Sequence, residues 1–295
     1  MELRQLTYFV KAAEIAHFTD AAAALYITQS TLSQQIKQLE NELGMLLFDR
    51  VGKHVQLTEA GGVFLLHARQ ILLDVEKGRQ AIQDLQNMLS GDLRIGVTYA
   101  FTSLLLPILT SFPEKYPGIR IYIEYGTTEV LERKLRASEL DFVLAFHQEA
   151  FYKDLETQEL FSSKIVMVVS KKHKLATLKK VSLQSLKGMD LIRATKGFSA
   201  RDSMDEVMLK HKIQLTVKIE LNDVHSILSL VEKGHWGALL NERALIGWKN
   251  LVAIPIEGRE LLRRAYIIWQ KGTYRKKAAD LFANELVKII QDTVK

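Results

Sequence analysis

Phe18-Thr19-Asp20-Ala21-Ala22-Ala23-Ala24-Leu25, Tyr26-Ile27 and Thr28-Gln29-Ser30-Thr31-Leu32-Ser33-Gln34-Gln35-Ile36 read as two short helices joined by a tight turn. Thr19 suits the N-cap of the first helix, with Asp20 at its positive end. The second runs from about Thr28 to Leu43, and Leu32, Ile36, Leu39 and Leu43 mark a buried side at helical spacing. Gly44 is its stop signal. The opposite face carries Gln29, Ser30, Thr31, Ser33, Gln34, Lys37 and Gln38. In a helix-turn-helix such a face reads base edges: Gln pairs bidentately with adenine, and Ser and Thr bond several bases. A plainly solvated helix face has the same composition, so spacing alone leaves DNA binding open.

Working outward, Leu3, Leu6, Phe9, Val10 and Ala13 predict a helix upstream, and Leu47–Leu57 alternates like a β-hairpin around Val51-Gly52-Lys53. A long helix follows over residues 58–89. Phe64, Ala68, Ile71, Val75, Gly78, Ile82, Leu85 and Leu89 recur at steps of four and three, the a/d seam of a two-helix coiled coil. Phe64, Ile71, Val75, Ile82, Leu85 and Leu89 are therefore the expected dimer contacts, the alternative being a helix packed on its own domain. Ser90-Gly91-Asp92 marks a boundary.

Beyond it strands and helices alternate. Leu93–Val97, Ile119–Tyr125, Phe142–Phe146, Ile165–Val169, Leu191–Arg193, Leu215–Ile219, Ala238–Leu240, Val252–Ile256 and Ala265–Trp269 are strand candidates. Thr102–Tyr116, Glu129–Ala137 and Lys276–Thr293 are helices. This order predicts α/β architecture with parallel sheets, in two lobes.

Composition sets the bounds. The chain has 295 residues, is 47% hydrophobic and has no cysteine, which removes disulfides, thiolate metal sites and a Cys nucleophile. The net charge is +6, but residues 1–89 hold eight Lys and Arg against ten Asp and Glu. The basic surplus thus lies outside the helix-turn-helix, so local placement of charge must carry any argument for DNA. The N-terminus lacks the pattern of a signal peptide, and no apolar run approaches a membrane span, so a soluble cytoplasmic protein is expected. No G-x-S-x-G, H-E-x-x-H, G-x-x-x-x-G-K-[ST] or G-x-G-x-x-G occurs, and Gly197-Phe198-Ser199-Ala200-Arg201 lacks the closing glycine of a nucleophile elbow. The eight His residues show no metal-ligand spacing. Neither enzyme activity, a cofactor nor a metal is expected.

The first 65 or so residues closely resemble the N-terminal signature of LysR-type transcriptional regulators. The match runs through the two-helix stretch quoted above, Leu39-Glu40-Asn41-Glu42-Leu43-Gly44, Leu47-Phe48-Asp49-Arg50 and Leu57-Thr58-Glu59-Ala60-Gly61. The resemblance implies a winged helix-turn-helix over residues 1–57, a linker and dimerisation helix over 58–89, and a periplasmic-binding-protein-like effector domain over 90–295. Lobe I would hold 90–163 and 267–295, and lobe II 164–266, with crossings near Ser162-Ser163 and Ala265-Tyr266. Gln29, Ser30, Ser33 and Gln34 would meet bases, while Arg50, Lys53 and His54 on the wing would meet phosphate. The family often has Pro where Ser30 stands and a basic residue where Gln34 stands, and Gln at position 34 implies a different sequence preference. The implied partners are promoter DNA, RNA polymerase, a small-molecule effector and further copies of the chain, as dimer or homotetramer.

Ligands of parallel sheets settle at the carboxyl ends of strands, where helix N-termini present free N–H groups. Thr98, Tyr99, Thr102 and Ser103 follow the first strand of the second region; Thr127 and Thr128 follow the second; Phe198, Ser199 and Arg201 follow Leu191–Arg193. These are the candidate effector contacts, and an organic anion is the first chemistry to consider. Ordinary helix capping would use the same hydroxyls. A stand-alone solute-binding protein and a repressor without any ligand are the other readings of this region.

Overall fold

The computed structural model describes residues 1–51, 54–85, 89–147, 153–258 and 261–294. The chain forms two compact units, Met1–Gln86 and Asn87–Lys295.

In the first unit, helices α1 (Leu3–Ile15), α2 (Phe18–Ala24) and α3 (Gln29–Leu43) precede a hairpin of β1 (Phe48–Val51) and β2 (His54–Leu57) and the long helix α4 (Glu59–Leu85). Leu6, Phe9, Phe18, Leu32, Ile36 and Leu39 are buried in one core. Thr28 caps α3, its hydroxyl accepting the Thr31 N–H, and Gly44 ends it at φ +70°. The α2 expectation needs correcting: its N-cap is His17, not Thr19. Phe18 has to be in the first turn to reach Phe48, which it meets edge-on at 5.4 Å. Leu43, expected on the buried side of α3, is 38% exposed because the last turn extends past the core.

One buried carboxylate organises the passage from α3 into the hairpin. Glu40 Oε1 accepts the N–H groups of Leu47 (2.9 Å) and Phe48 (3.2 Å). Thr58 then donates to the Leu46 carbonyl at 2.7 Å and accepts the Gly61 N–H at 2.9 Å, opening α4 against the same loop. A side chain at position 61 would place its Cβ 2.1 Å from the Leu47 carbonyl oxygen, so only glycine fits. The stripe on α4 is partly used at home. Phe64, Leu65, Ala68, Ile71 and Leu72 pack on the helix-turn-helix core, and Phe64 meets Phe9 at 5.3 Å. Ile82 is 59% exposed. The side chain of Leu85 lies outside the described residues.

The second unit alternates as anticipated, with strands β3 (Gly91–Val97), β4 (Ile119–Tyr125), β5 (Phe142–His147), β6 (Leu155–Ser170), β7 (Asp190–Ala194), β8 (Thr216–Leu221), β9 (Gly237–Asn241), β10 (Leu251–Pro255) and β11 (Leu262–Gln270). The helices are α5 (Thr102–Lys115), α6 (Thr128–Arg136), α7 (Ser199–Lys210), α8 (Val224–Lys233) and α9 (Lys277–Val294). The sheet order is β4-β3-β5-β11-β6-β9-β7-β8, with β10 on the other edge of β6. β6 divides its pairing: Leu155–Lys164 face β11, whereas Ile165–Val168 face β9 and Val166–Ser170 face β10. This makes two lobes joined through one strand. β3 is parallel to β4 and β5, and β7 to β8 and β9, but every ladder made by β6 and β11 is antiparallel. The sheets are therefore mixed, because the crossing strands enter from the opposite end. β11 pairs with lobe I from Leu262 onward, and Ala265-Tyr266 is a register irregularity inside it.

In lobe I, α5 and α9 cover one face through Phe112 and Phe282, in the same core as Trp269 of β11, and α6 covers the other through Leu131 and Leu135. Leu89 packs against the first of these cores. In lobe II, Met204, Val207 and Met208 of α7 lie on one face and Ile227, Leu228 and Val231 of α8 on the other. Asp223 caps α8, accepting the Ser226 N–H at 2.7 Å. None of the described helices is long and apolar enough to cross a membrane.

Two outcomes follow from these caps. Glu40→Ala should destabilise the first unit by about 2–3 kcal/mol, since two buried N–H groups lose their acceptor, while Glu40→Gln keeps an oxygen there and recovers most of it. The three tryptophans, Trp236, Trp248 and Trp269, all lie in the second unit, so this loss should show in far-ultraviolet circular dichroism and not in Trp fluorescence. Bonding to Ser226 holds the Asp223 carboxyl below its ordinary 3.8. A depressed carboxylate contributes stability that is whole above the unfolded value and is lost as pH falls through the folded one. Asp223→Asn keeps a cap and should flatten the fall in Trp-monitored stability below about pH 4.5; an unchanged acid slope would remove Asp223 from that account.

Candidate DNA-binding face and effector cleft

The face of α3 away from the core carries Gln29, Ser30, Thr31, Gln34, Lys37 and Gln38 exposed, and Ser33 half-buried. These groups pair with one another. The Thr28 hydroxyl lies 2.9 Å from that of Ser30 and 2.8 Å from that of Thr31, and Gln29 Nε2 donates to Ser33 Oγ at 3.0 Å. Gln34 and Lys37 extend the row one and two turns further along. Docked on DNA, the hydroxyl and amide groups would exchange these internal bonds for bonds to bases, at little net cost. Lys37 is the cation of this face. The side chains of Arg50 and His54, and all of Lys53, lie outside the described residues.

In the second unit, a cavity of about 220 Å³ opens where β3 and β4 end and α8 begins. Tyr99, Thr102, Ser103 and Tyr125 line it from lobe I, and Asp223, His225 and Trp248 from lobe II. A smaller hollow shares Tyr99, Val224 and Ala244 with it and reaches Thr98, Thr127, Phe198, Ser199 and Asn241. The fold thus brings Thr98, Tyr99, Thr102, Ser103, Thr127, Phe198 and Ser199 to one place, at the carboxyl ends of the strands. Their hydroxyls are not equally available. Thr98 donates to the Leu144 carbonyl and Thr102 to the Tyr99 carbonyl, at 3.2 and 2.8 Å. Thr128 is absent from both linings; its Oγ1 is buried without a hydrogen-bond partner.

Arg201 does not line the cleft either. Its Nε bonds Asp205 at 2.6 Å, and its Nη1 donates to the Ala194 carbonyl at 3.1 Å and lies 3.3 Å from Glu220. Arg193 also pairs with Asp205. An arginine one turn into α7 and next to two acids is drawn back onto β7 and β8. Among the described residues no Lys or Arg lines either cavity, and Asp223 is the charged carboxylate of the larger one. Sequence reading missed Tyr125, Asp223, His225 and Trp248. The same strand-end rule would have found Tyr125 and Asp223, at the ends of β4 and β8. Nothing local marks Trp248.

The two lobes meet through aromatic rings. Tyr99 stacks on Tyr125 at 5.6 Å and on Phe198, from the other lobe, at 4.9 Å with 16° between the planes. Beside them Gly197, at φ +90°, approaches so closely that a Cβ would lie 2.8 Å from Thr127 Cγ2. Behind the cleft, where β6 crosses between lobes, Ser163 donates to Asn241 Oδ1 at 2.7 Å. Glu242 accepts the Lys164 N–H at 3.1 Å. No cluster of His, Asp and Glu among the described residues could hold a metal ion.

Comparison with known proteins agrees over nearly the whole chain. Residues 3–62 match the bacterial regulatory helix-turn-helix protein model of the lysR family, and residues 86–289 match the LysR substrate binding domain. The chain is 32% identical over 295 residues to a probable RuBisCO transcriptional regulator of Thalassiosira pseudonana, covering 96% of each. It superposes on full-length OxyR of Pseudomonas aeruginosa with a TM-score of 0.73 and 26% identity, covering 97% of this chain and 98% of that one. Against CbnR complexed with its target DNA the TM-score is 0.72 at 20% identity, covering 99% and 100%. A helix-turn-helix with an open polar face, followed by two α/β lobes around a cleft and matched to both family models, identifies the chain as a LysR-family DNA-binding transcriptional regulator with an effector-binding domain.

Proposed function

We propose that two copies of this chain pair through their α4 helices and set two α3 helices in successive major grooves of a promoter, under control of a small molecule held between the lobes. The observation that carries the DNA reading is the division of α3. Leu32, Ile36 and Leu39 are wholly buried, while Gln29, Ser30, Thr31, Gln34 and Lys37 stand open. Gln29, Ser30, Thr31, Ser33 and Gln34 are assigned to bases; Lys37, Arg50 and Lys53 are assigned to phosphate. Phe64 and Ile71 are partly engaged with their own core, so the pairing seam rests more on Val75, Ile82 and Leu85. Residues 1–57 serve as the DNA-binding domain and 58–89 as the linker, with Leu89 at the junction. Dimers joining into a tetramer, contact with RNA polymerase and action in the cytoplasm complete the reading.

For the effector, the helix N-termini of α5, α6 and α7 around Thr98, Tyr99, Thr127 and Ser199 favour an organic anion. With Arg201 held by Asp205, backbone N–H groups and hydroxyls have to hold it in place of a cation. The ligand must bind one arrangement of the lobes better than the other for anything to switch.

Selection of genomic fragments by the purified protein at moderate salt should enrich a few promoters sharing an interrupted inverted repeat. Gln34→Ala should change the base preference, and Arg50→Ala should weaken all sequences alike; identical behaviour on a panel of sites would overturn this division of roles. For the cleft, a panel of small carboxylates should contain compounds that raise the melting temperature of the full chain saturably. Tyr99→Ala and Gly197→Val should abolish that rise without moving the DNA preference, and a rise that survives both changes would put the effector elsewhere.

A further inference from the structure

Tyr26 sits in the turn between α2 and α3, and it is 97% exposed, more than any other large apolar side chain among the described residues. Its backbone is left-handed, at φ +56°. L side chains crowd their own backbone there, and glycine is the residue that adopts the region freely. The other described non-glycine residues with positive φ are Ala16, Ser138 and Lys212, each at a helix end and none aromatic. The turn is firmly held. The Tyr26 N–H donates to the Ala23 carbonyl at 3.1 Å, and the Ile27 N–H to the Ala22 carbonyl at 3.0 Å. Ile27 turns inward to the core, and Thr28 begins the recognition helix. A large ring is thus carried on a firmly held, left-handed backbone, where no described residue packs on it.

We infer that Tyr26 contacts DNA, its ring lying on the sugar-phosphate backbone at the lip of the major groove and its hydroxyl donating to a phosphate oxygen. The placement follows from the docking of helix-turn-helix units: residues at the start of the second helix meet base edges while the first crosses the backbone. The turn joining them then faces the phosphates, two residues ahead of Thr28 and three ahead of Gln29. Tyr is among the side chains that make such contacts, which fix register without reading sequence. It also suits a face that is short of cations, because a neutral donor adds a phosphate contact without adding charge. The inference rests on α3 being the recognition helix.

Binding of the full-length protein to two probes over a range of salt tests it: the duplex most enriched in the genomic selection, and a mixed-sequence duplex. Tyr26→Phe should weaken both about tenfold, the loss of one hydrogen bond to a charged group, and Tyr26→Ala should weaken both at least as much. A neutral side chain releases no counterion, so the salt slope should stay as in the parent, whereas Lys37→Ala should lower it by about 0.9. Tyr26→Gly controls for folding, since it relieves the backbone: it should melt about 2–4 °C higher and still bind DNA as poorly as Tyr26→Ala. Parental affinity in all three Tyr26 variants, with Lys37→Ala impaired, would overturn the contact and leave α3 as the reader. A loss confined to the selected duplex would overturn the backbone assignment in favour of base reading. If Gln34→Ala and Lys37→Ala are as silent as the Tyr26 variants, the recognition helix itself is misassigned and this inference falls with it.

Discussion

Between Leu155 and Ser170 a single strand belongs to two sheets, and the effector domain is organised around that shared element. Its first half forms an edge of lobe I beside β11. Its second half lies inside lobe II, between β9 and β10. The ladder of each half is rigid along its own sheet, so a change of angle between lobes has to be taken up where one set of bonds gives way to the other. That place is Ser163-Lys164, and there the strand is held by Asn241 and Glu242 from the end of β9. Asn241 also borders the cleft. Tyr99, Phe198 and Asn241 border the same hollow, so a ligand in the proposed site would lie close to these bonds. Arg263 lies opposite Ser163 and is 6% exposed; burial pulls its pKa down, and the charge of Glu206 opposes this.

The DNA-binding unit relies on geometry more than on charge. Its core positions α3 to within the tolerance of well-packed aromatics, Phe9, Phe18, Phe48 and Phe64. Glu40, buried at the base of the hairpin, ties the end of that helix to the start of the wing. In the docking proposed above, α3 itself brings one cation, Lys37, and hydrogen bonds made at the correct spacing carry its base reading. Side chains that pair with each other in the free protein suit this, because exchanging one partner for another changes little in gross energy and much in specificity.

The helix-turn-helix was legible because its signals are local. Apolar residues at helical spacing, Thr28 before α3 and Gly44 after it act within a turn or two of chain, and the structure repeats them almost residue for residue. The first half of β6 was not legible. Glu156-Thr157-Gln158-Glu159 is polar, since an edge strand shows one face and one side to water, and periodicity cannot distinguish that from a loop. The α4 stripe was readable as a stripe but not as to its partner. Phe64, Ala68 and Ile71 satisfy a heptad and a home core equally well, because both want the same apolar face. Arg201 shows the converse case: the strand-end rule put it at the cleft, but two acids, one from its own helix and one from β8, hold the guanidinium away from it.

What the amino-acid sequence determined by itself was the succession of elements and the chemistry on each of their faces, since both follow from short-range steric and hydrogen-bonding preferences. It also carried the family signature of the first 65 residues, which is a contiguous run. Tertiary structure alone decided which strands pair and in what direction, that Tyr99 meets Phe198, that Trp248 and His225 face the same cavity, and that no Lys or Arg among the described residues lines it. Those facts join residues that are distant in the chain, such as Tyr99 and Phe198. They depend on where β6 passes from one lobe to the other, and no local preference encodes that crossing.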